Sequence, residues 1–291
     1  MKIKAEQEIT LIGLLLQEFR DASKTSVKNM ISHGNVKVNG KMATNPSTLI
    51  KSGDEVEYLK FHKLPTKIKA PFPVIFEDAE ILVAEKPAGL LTIGDKGIGG
   101  TSFYKIMLDY VKERSKGTER LFIVHRLDRE VSGLLVFAKS EEIQQKIKNN
   151  WGQSKKMYYA LVEGHPQKEN GTIKDWLMEG KDQRVVSVHE QGGAKFAVTH
   201  YRTLDKTEEY TLLEVQLETG RKNQIRIHLS GMGCPVVGDR RYGADARFER
   251  RIRLHAFYLS FPHPVTDEYK EFKSKMPKGF LVLKPENEKY K

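Results

Sequence analysis

Cysteine is nearly absent. Cys234 is the only one in 291 residues, which excludes an internal disulfide and any zinc site built on paired thiolates, and points to a reducing, cytoplasmic setting. Long hydrophobic runs are missing too: no stretch approaches the roughly 18 apolar residues that a membrane-spanning helix requires. The apolar segment Ile9 to Leu16 follows Glu6 and Glu8, and no small-residue cleavage site comes after it. An amphipathic helix is therefore expected there rather than a secretory signal. Internal repeats and low-complexity tracts are also lacking. Acidic residues are in short supply, 38 against 49 Lys and Arg, for a net charge of +11. Such a surplus suits a polyanionic partner, because each phosphate neutralised by Lys or Arg releases condensed counterions. Solubility alone is the competing explanation.

What is present divides into two parts. Around residues 61–72, Lys60, Lys63, Lys67 and Lys69 alternate with Pro65, Pro71 and Pro73, the pattern of a linker. Residues 1–60 predict a small α+β unit, with helices over about Leu11 to Arg20 and Ser26 to Ser32 and strands at "NVKVNG" and "GDEVEY". Residues 1–70 carry twelve Lys and Arg against seven Asp and Glu, and Lys24, Lys28, Lys37 and Lys41 lie close together without a nearby acid. Residues 73–291 are rich in strand patterns, among them "PVIFEDAEILVAEKP", "LFIVHRL", "GLLVFAK", "MYYALVEG", "FAVTHYRTL", "YTLLEVQLE" and "NQIRIHLS". Helices are predicted over Ser102 to Ser115 and Ser140 to Asn150, the second with Ser140 as N-cap and Glu141 and Glu142 in its first turn. The expected fold class is α+β: a large, mainly antiparallel mixed sheet preceded by the small α+β unit.

Chemistry concentrates in "LFIVHRLDREVSGLLVFAKS", residues 121–140, where two apolar strands enclose a loop holding His125, Arg126, Asp128, Arg129, Glu130 and Ser132. A solvated turn is one reading of a charged loop; a site held by rigid strands is the other. The stretch resembles the signature of the ribosomal large-subunit pseudouridine synthase A family, in which His-Arg-Leu-Asp precedes a Ser-Gly and an apolar strand ending in Ala-Lys. Val131 stands where that pattern usually has Thr. Further resemblances follow in order: Lys86, Pro87 and Gly89 in "EDAEILVAEKPAGLLT", Tyr158 in "KMYYALVEG", then "TGRKNQIRIHLSGMGCPVVGDRRYG" and "LHAFYLSFPHP". Asn223 departs from the pattern, since relatives commonly have His. The first 60 residues resemble the alpha-L-type RNA-binding module of a small-subunit ribosomal protein, with Lys24 where relatives often have Arg, which keeps the charge and loses the planar fork.

The resemblance implies isomerisation of uridine to pseudouridine in structured RNA, a reaction that needs no cofactor and no metal. It implies Asp128 as the carboxylate that attacks ribose C1′ or removes a proton from C2′, Arg226 as its ion-pair partner, and Tyr158 as the ring beside the uracil. A carboxylate shut in with a base loses hydration, so a cation beside it is a physical necessity. Residue alternation on a strand through "NQIRIHL" is expected to turn Arg226 away from Ile225 and Ile227. Tyr159, one residue from Tyr158, must face the other side of its strand and is read as core. Arg126 is assigned to the space left by a flipped nucleotide, or to holding that nucleotide. His125, Lys24 and Lys28 complete the RNA-binding set. The expected partner is RNA, ribosomal in preference to transfer RNA, bound by a monomer without membrane association.

Two other reactions and one noncatalytic role compete. A glycoside hydrolase also cleaves at C1′ but needs two carboxylates in fixed relation, and only Glu130 is near Asp128. A zinc nucleobase deaminase needs thiolates. An RNA-binding or ribosome-assembly protein on a degenerate scaffold would be expected to lack Asp128, Tyr158 or Arg226.

Overall fold

The computed structural model describes residues 2–19, 24–32, 36–58, 70–94, 101–180, 184–245 and 251–280. It divides into two compact units, Met1–Lys69 and Ala70–Lys291. Most of the expected linker, along with Arg20, lies outside the described residues.

The first unit holds β1 (Lys2–Lys4), β2 (Ile9–Thr10), α1 (Leu11–Glu18), α2 (Lys24–Ser32), β3 (Val36–Val38), β4 (Lys41–Met42), β5 (Leu49–Ile50) and β6 (Glu55–Tyr58). Helix α1 starts where the Thr10 hydroxyl accepts the Gly13 N–H, satisfying one of the amides that a helix start leaves unpaired. Leu11 and Leu15 from α1 and Val27 and Ile31 from α2 are fully buried against Val36, Ile50 and Val56. On α2 both Lys24 and Lys28 are exposed, and a spacing of four puts them on one face.

The second unit is built on one sheet. Its strands are β7 (Val74–Glu77), β8 (Ile81–Lys86), β9 (Phe122–Ile123), β10 (Ser132–Ala138), β11 (Lys155–Glu163), β12 (Asn170–Glu179), β13 (Val185–Val188), β14 (Lys195–Lys206), β15 (Tyr210–Leu217), β16 (Leu254–Pro262) and β17 (Tyr269–Lys273). They run in the order β13-β12-β14-β15-β11-β16-β10-β8-β7, with β17 on β16 and β9 on β10. Among the described residues every pairing in this sheet is antiparallel except that of β10 with β16. Helices α3 (Phe103–Arg114) and α4 (Glu141–Asn149) are capped by the hydroxyls of Ser102 and Ser140, as the sequence suggests for α4. Met107 and Val111 of α3 join a core with Leu82, Leu135, Phe137, Ala160 and Leu213, while Ile143 and Ile147 of α4 pack with Val83, Val136 and Phe261.

The parallel contact is two residues long, Ser132 with His255 and Gly133 with Ala256. Gly133 adopts φ +124°, and a Cβ there would lie 2.2 Å from the Ala256 carbonyl oxygen. Glycine is required because the two backbones approach too closely for any side chain. After this point β10 leaves β16 and pairs with β9 instead.

One expectation is corrected. Residues 224–231 are not a strand but helix α5 (Gln224–Gly231), entered through Asn223 in the left-handed conformation at φ 57°. Every residue from Gln224 to Leu229 is buried, polar ones included. The apparent alternation of apolar and polar residues thus belongs to a helix buried all round, whose polar side chains are held by specific partners instead of facing water.

Candidate active site

The loop from Val124 to Val131 joins β9 to β10 and is held from beneath. Lys86, fully buried at the end of β8, donates from Nζ to three carbonyl oxygens, those of Pro87 (2.9 Å), Leu90 (2.7 Å) and Arg129 (3.1 Å). The Thr92 hydroxyl donates to the Leu127 carbonyl at 2.7 Å and accepts the Leu127 N–H at 3.2 Å. The Gly89 N–H donates to the Arg129 carbonyl, and Arg129 Nε returns a bond to the Gly89 carbonyl. At the loop's C-terminal end the buried Ser132 hydroxyl meets His255 Nδ1 at 2.9 Å, His255 Nε2 meets the Ser274 hydroxyl at 3.0 Å, and that hydroxyl donates to Glu85 at 2.7 Å. Four strands and the segment after β8 therefore fix the backbone around Asp128.

Burial pulls the Lys86 ammonium down to a pKa of about 8, against the opposing pull of Asp128 and then Glu130. At neutral pH it is still charged, with three protons for three acceptors. Above pH 8 it loses one, and one carbonyl under the loop loses its donor. Activity is therefore expected to fall through an apparent pKa near 8, a limb that Lys86→Met would lack, as kcat/KM profiles from pH 6 to 10 would read. Stability moves oppositely. The unfolded lysine retains its proton up to its ordinary 10.5, so between pH 8 and 10.5 the unfolded state binds more protons and this group's contribution to stability rises with pH.

Asp128 is partly exposed, with one third of its side chain accessible. It lines a cleft of about 100 Å³ together with Arg126, Tyr158, Leu217, Asn223 and Arg226. Arg226 Nη1 stands 3.4 Å from Asp128 Oδ2. Its shorter contacts go elsewhere: Nε to Asp239 Oδ2 at 2.5 Å, Nη2 to Asp239 Oδ1 at 2.8 Å, and Nη1 to Asn223 Oδ1 at 2.9 Å. The Tyr242 ring lies 4.9 Å from the guanidinium carbon. Burial works against the charge of Arg226, but the hydrogen bonds and charge of Asp239, with a smaller share from Asp128, outweigh it and raise its pKa. The bidentate fork to Asp239, a side chain only 1% exposed, fixes the guanidinium.

Tyr158 and Tyr159 separate as strand geometry requires. Tyr158 packs with the core that contains Ala160 and Leu213, whereas Tyr159 stacks on Phe257 at 3.8 Å among Leu161, Leu212 and Phe280. Burial, and then the charge of Asp128, lift the Tyr158 phenol well above its ordinary pKa, so it remains protonated. His125 turns inward from the loop. Its Nε2 accepts the Val136 N–H at 3.3 Å, and its ring stacks on Trp151 at 4.8 Å. Burial, and then Lys156, hold its pKa down to about 3, leaving a neutral acceptor for that N–H. Its contacts make it a strut for β10. Arg126 is exposed at the cleft mouth. Glu130 does not line the cleft; its side chain is 43% exposed and stands 3.7 Å from Arg129 Nε.

Thus Asp128, Tyr158, Arg226 and Arg126 come together, His125 packs beneath them, and Lys24 and Lys28 belong to the other unit. Sequence reasoning gave no role to Asp239, Thr92 or Tyr242. Asp239 carried a signal, a lone acid in the apolar run "PVVGD", where a buried carboxylate demands a cation.

The profile of the RNA pseudouridylate synthase family matches residues 80–231, and that of the S4 domain matches residues 17–56. The chain belongs to the RNA pseudouridylate synthase family. It is 32% identical to an uncharacterized RNA pseudouridine synthase of Aquifex aeolicus over 96% of this chain and 93% of that one. To the ribosomal large subunit pseudouridine synthase D of Zymomonas mobilis it is 30% identical, over 90% and 88%. Among solved structures, human RNA pseudouridylate synthase domain containing 4 superposes with a TM-score of 0.61 at 26% identity, covering 72% of this chain and 90% of that one. This synthase accordingly has a mixed-sheet enzyme unit and an N-terminal S4 domain, and among its described residues no helix is long and apolar enough to cross a membrane.

Proposed function

We propose that this synthase isomerises a uridine of large-subunit ribosomal RNA, with Asp128 as the reacting carboxylate. The observation that carries the reading is the 3.4 Å approach of Arg226 to Asp128 in a cleft that Tyr158 also lines. Asp239 takes the two strongest contacts of the guanidinium, so Asp128 has a neighbouring positive charge without being locked to it. A carboxylate that must form or break a bond at ribose needs that combination, since tight hydrogen bonding lowers nucleophilicity and basicity alike.

Asp128 either adds to C1′ and displaces uracil through N1, or takes the C2′ proton so that the C1′–N1 bond breaks. The freed uracil turns and C5 bonds to C1′, displacing the Asp128 carboxylate in the first route or drawing the proton back from Asp128 to C2′ in the second; the C5 proton then leaves to water and N1 takes up a proton. Tyr158, kept as a neutral phenol, offers its ring to the base and its hydroxyl as a relay for that proton. Arg126 at the mouth holds the flipped nucleotide or fills the space it leaves. The S4 domain contributes Lys24 and Lys28 to phosphates from one exposed helix face. The enzyme acts as a monomer in the cytoplasm.

Ribosomal RNA is supported by relatives called ribosomal large subunit pseudouridine synthase D in Zymomonas mobilis and Pasteurella multocida. The test is tritium release from RNA labelled at uracil C5, with ribosomal and transfer RNA fractions assayed separately. Release from ribosomal RNA alone is expected; release confined to transfer RNA would overturn the substrate assignment.

A further inference from the structure

On the side of α5 away from Asp128, strands β12, β13 and β14 leave a cleft of about 720 Å³, within the range of about 300–1,000 Å³ usual for ligand sites. Arg226 and His228 are two residues apart on α5, about 200° around its axis. The helix is thus a partition, with Arg226 serving the first cleft and His228 in the wall of the second. Ile173, Tyr201, Ile227 and Met232 give this second cleft apolar walls.

Its charge is unbalanced. Lys168, Lys174 and Arg184 line it against one carboxylate, Asp175. Asp175 is already engaged, accepting the Trp176 N–H through Oδ1 and the Ser187 hydroxyl through Oδ2. Lys168 and Lys174 are exposed and have no ion-pair partner among the described residues.

An unmet donor lies in the same wall. Gln224 is oriented by the Thr219 hydroxyl and the Arg221 N–H on its Oε1, so its Nε2 donates to the Thr199 hydroxyl oxygen at 2.9 Å. The same hydroxyl stands 2.8 Å from His228 Nδ1; a Thr199 proton given to Nδ1 would place the imidazole's own proton on Nε2. His228 is 2% exposed, and its Nε2 has no hydrogen-bond partner among the described residues. A buried N–H left unmet costs about 1–3 kcal/mol, a cost that an acceptor brought by a ligand would remove.

We propose that this cleft seats one unpaired nucleotide of the substrate RNA, its base between the apolar walls with an acceptor toward His228 and its phosphates toward Lys168 and Lys174. Phosphate alone would leave the apolar walls uncovered. The inference deepens the reading of the chain as an RNA-modifying enzyme and depends on it for the source of the nucleotide. It does not depend on Asp128.

The test uses the full chain, a single-stranded RNA 12-mer of mixed sequence containing 4-thiouridine, and free UMP and AMP. Photo-cross-links are expected in the peptides holding Tyr201 and Met232, in wild type and in Asp128→Asn alike. Lys168→Ala combined with Lys174→Ala should weaken 12-mer binding at least tenfold and lower the salt slope by about 1.4, two contacts at about 0.7 each for a single strand. Tritium release at saturating ribosomal RNA should keep its wild-type kcat. Unchanged affinity and slope, or cross-links confined to the Asp128 cleft, would overturn the proposal. Lysine-dependent binding of UMP or AMP without RNA cross-links would overturn the RNA source. Absence of tritium release by wild type, with cleft cross-links intact, would count against the synthase reading alone.

Discussion

Replacing Asp128 by Asn should lower isomerisation below about 10⁻⁴ of the wild-type rate, the scale on which removing an obligatory nucleophile or base acts. The amide keeps the shape of the carboxylate but can neither add to C1′ nor take a proton from C2′. RNA affinity should be unchanged, because Asp128 is a partly exposed cleft residue, and Arg126 at the mouth and the S4 lysines are left intact. Stability should hardly move, because the 3.4 Å contact to Arg226 is the weakest that the guanidinium makes to a side chain. Tritium release, a filter-binding isotherm and a denaturation curve on one preparation test all three. Turnover near wild type would remove Asp128 from the chemistry; a wild type that bound RNA but did not turn over would instead favour the noncatalytic reading.

Asp239 predicts a different pattern. Asp239→Ala leaves a guanidinium buried without its principal partner, and breaking a buried pair from one side costs about 3–5 kcal/mol, a large part of the roughly 5–15 kcal/mol available to a domain. Activity should fall as well, because Arg226 loses the fork that aims Nη1 at Asp128. The double variant Arg226→Met with Asp239→Leu separates the two effects. An apolar pair of similar volume should restore most of the stability while activity stays lost. Recovery of both would mean that the cation is dispensable at the site.

The reacting loop was legible in the sequence because its charged residues lie between two apolar strands in a recognisable order. Asp128, Arg126 and Tyr158 meet in one cleft as that order implied, and strand parity separated Tyr158 from Tyr159. Helix α5 was not legible. With "QIRIHL" buried on all sides, a helix has no solvent face and leaves no 3.6-residue stripe to read, while two isoleucines at alternate positions imitate a strand. Strands β12 and β13, at one end of the sheet, were not legible for a related reason. Near the sheet end, β12 mixes Lys174, Asp175 and Glu179 with Trp176 and Leu177, which blurs its alternation, and β13 is only four residues long. The strut role of His125 is equally hidden in the sequence. Where β10 parts from β16, the Val136 N–H faces away from β8 and needs an acceptor, and no linear pattern shows that need.

The order of the strands also sets a schedule for the nascent chain. β16 lies between β11 and β10, although the ribosome makes it some 90 residues after β11. A chain extended only to Tyr242 already contains Asp128, Tyr158, Arg226 and Asp239, but the middle of its sheet is an open slot. Ser132 must wait for His255, and His255 for Ser274. Pairings this distant place folding among the slower classes, milliseconds to seconds. Competence therefore arrives at once, after the last strands emerge, and a partly made enzyme is chemically silent.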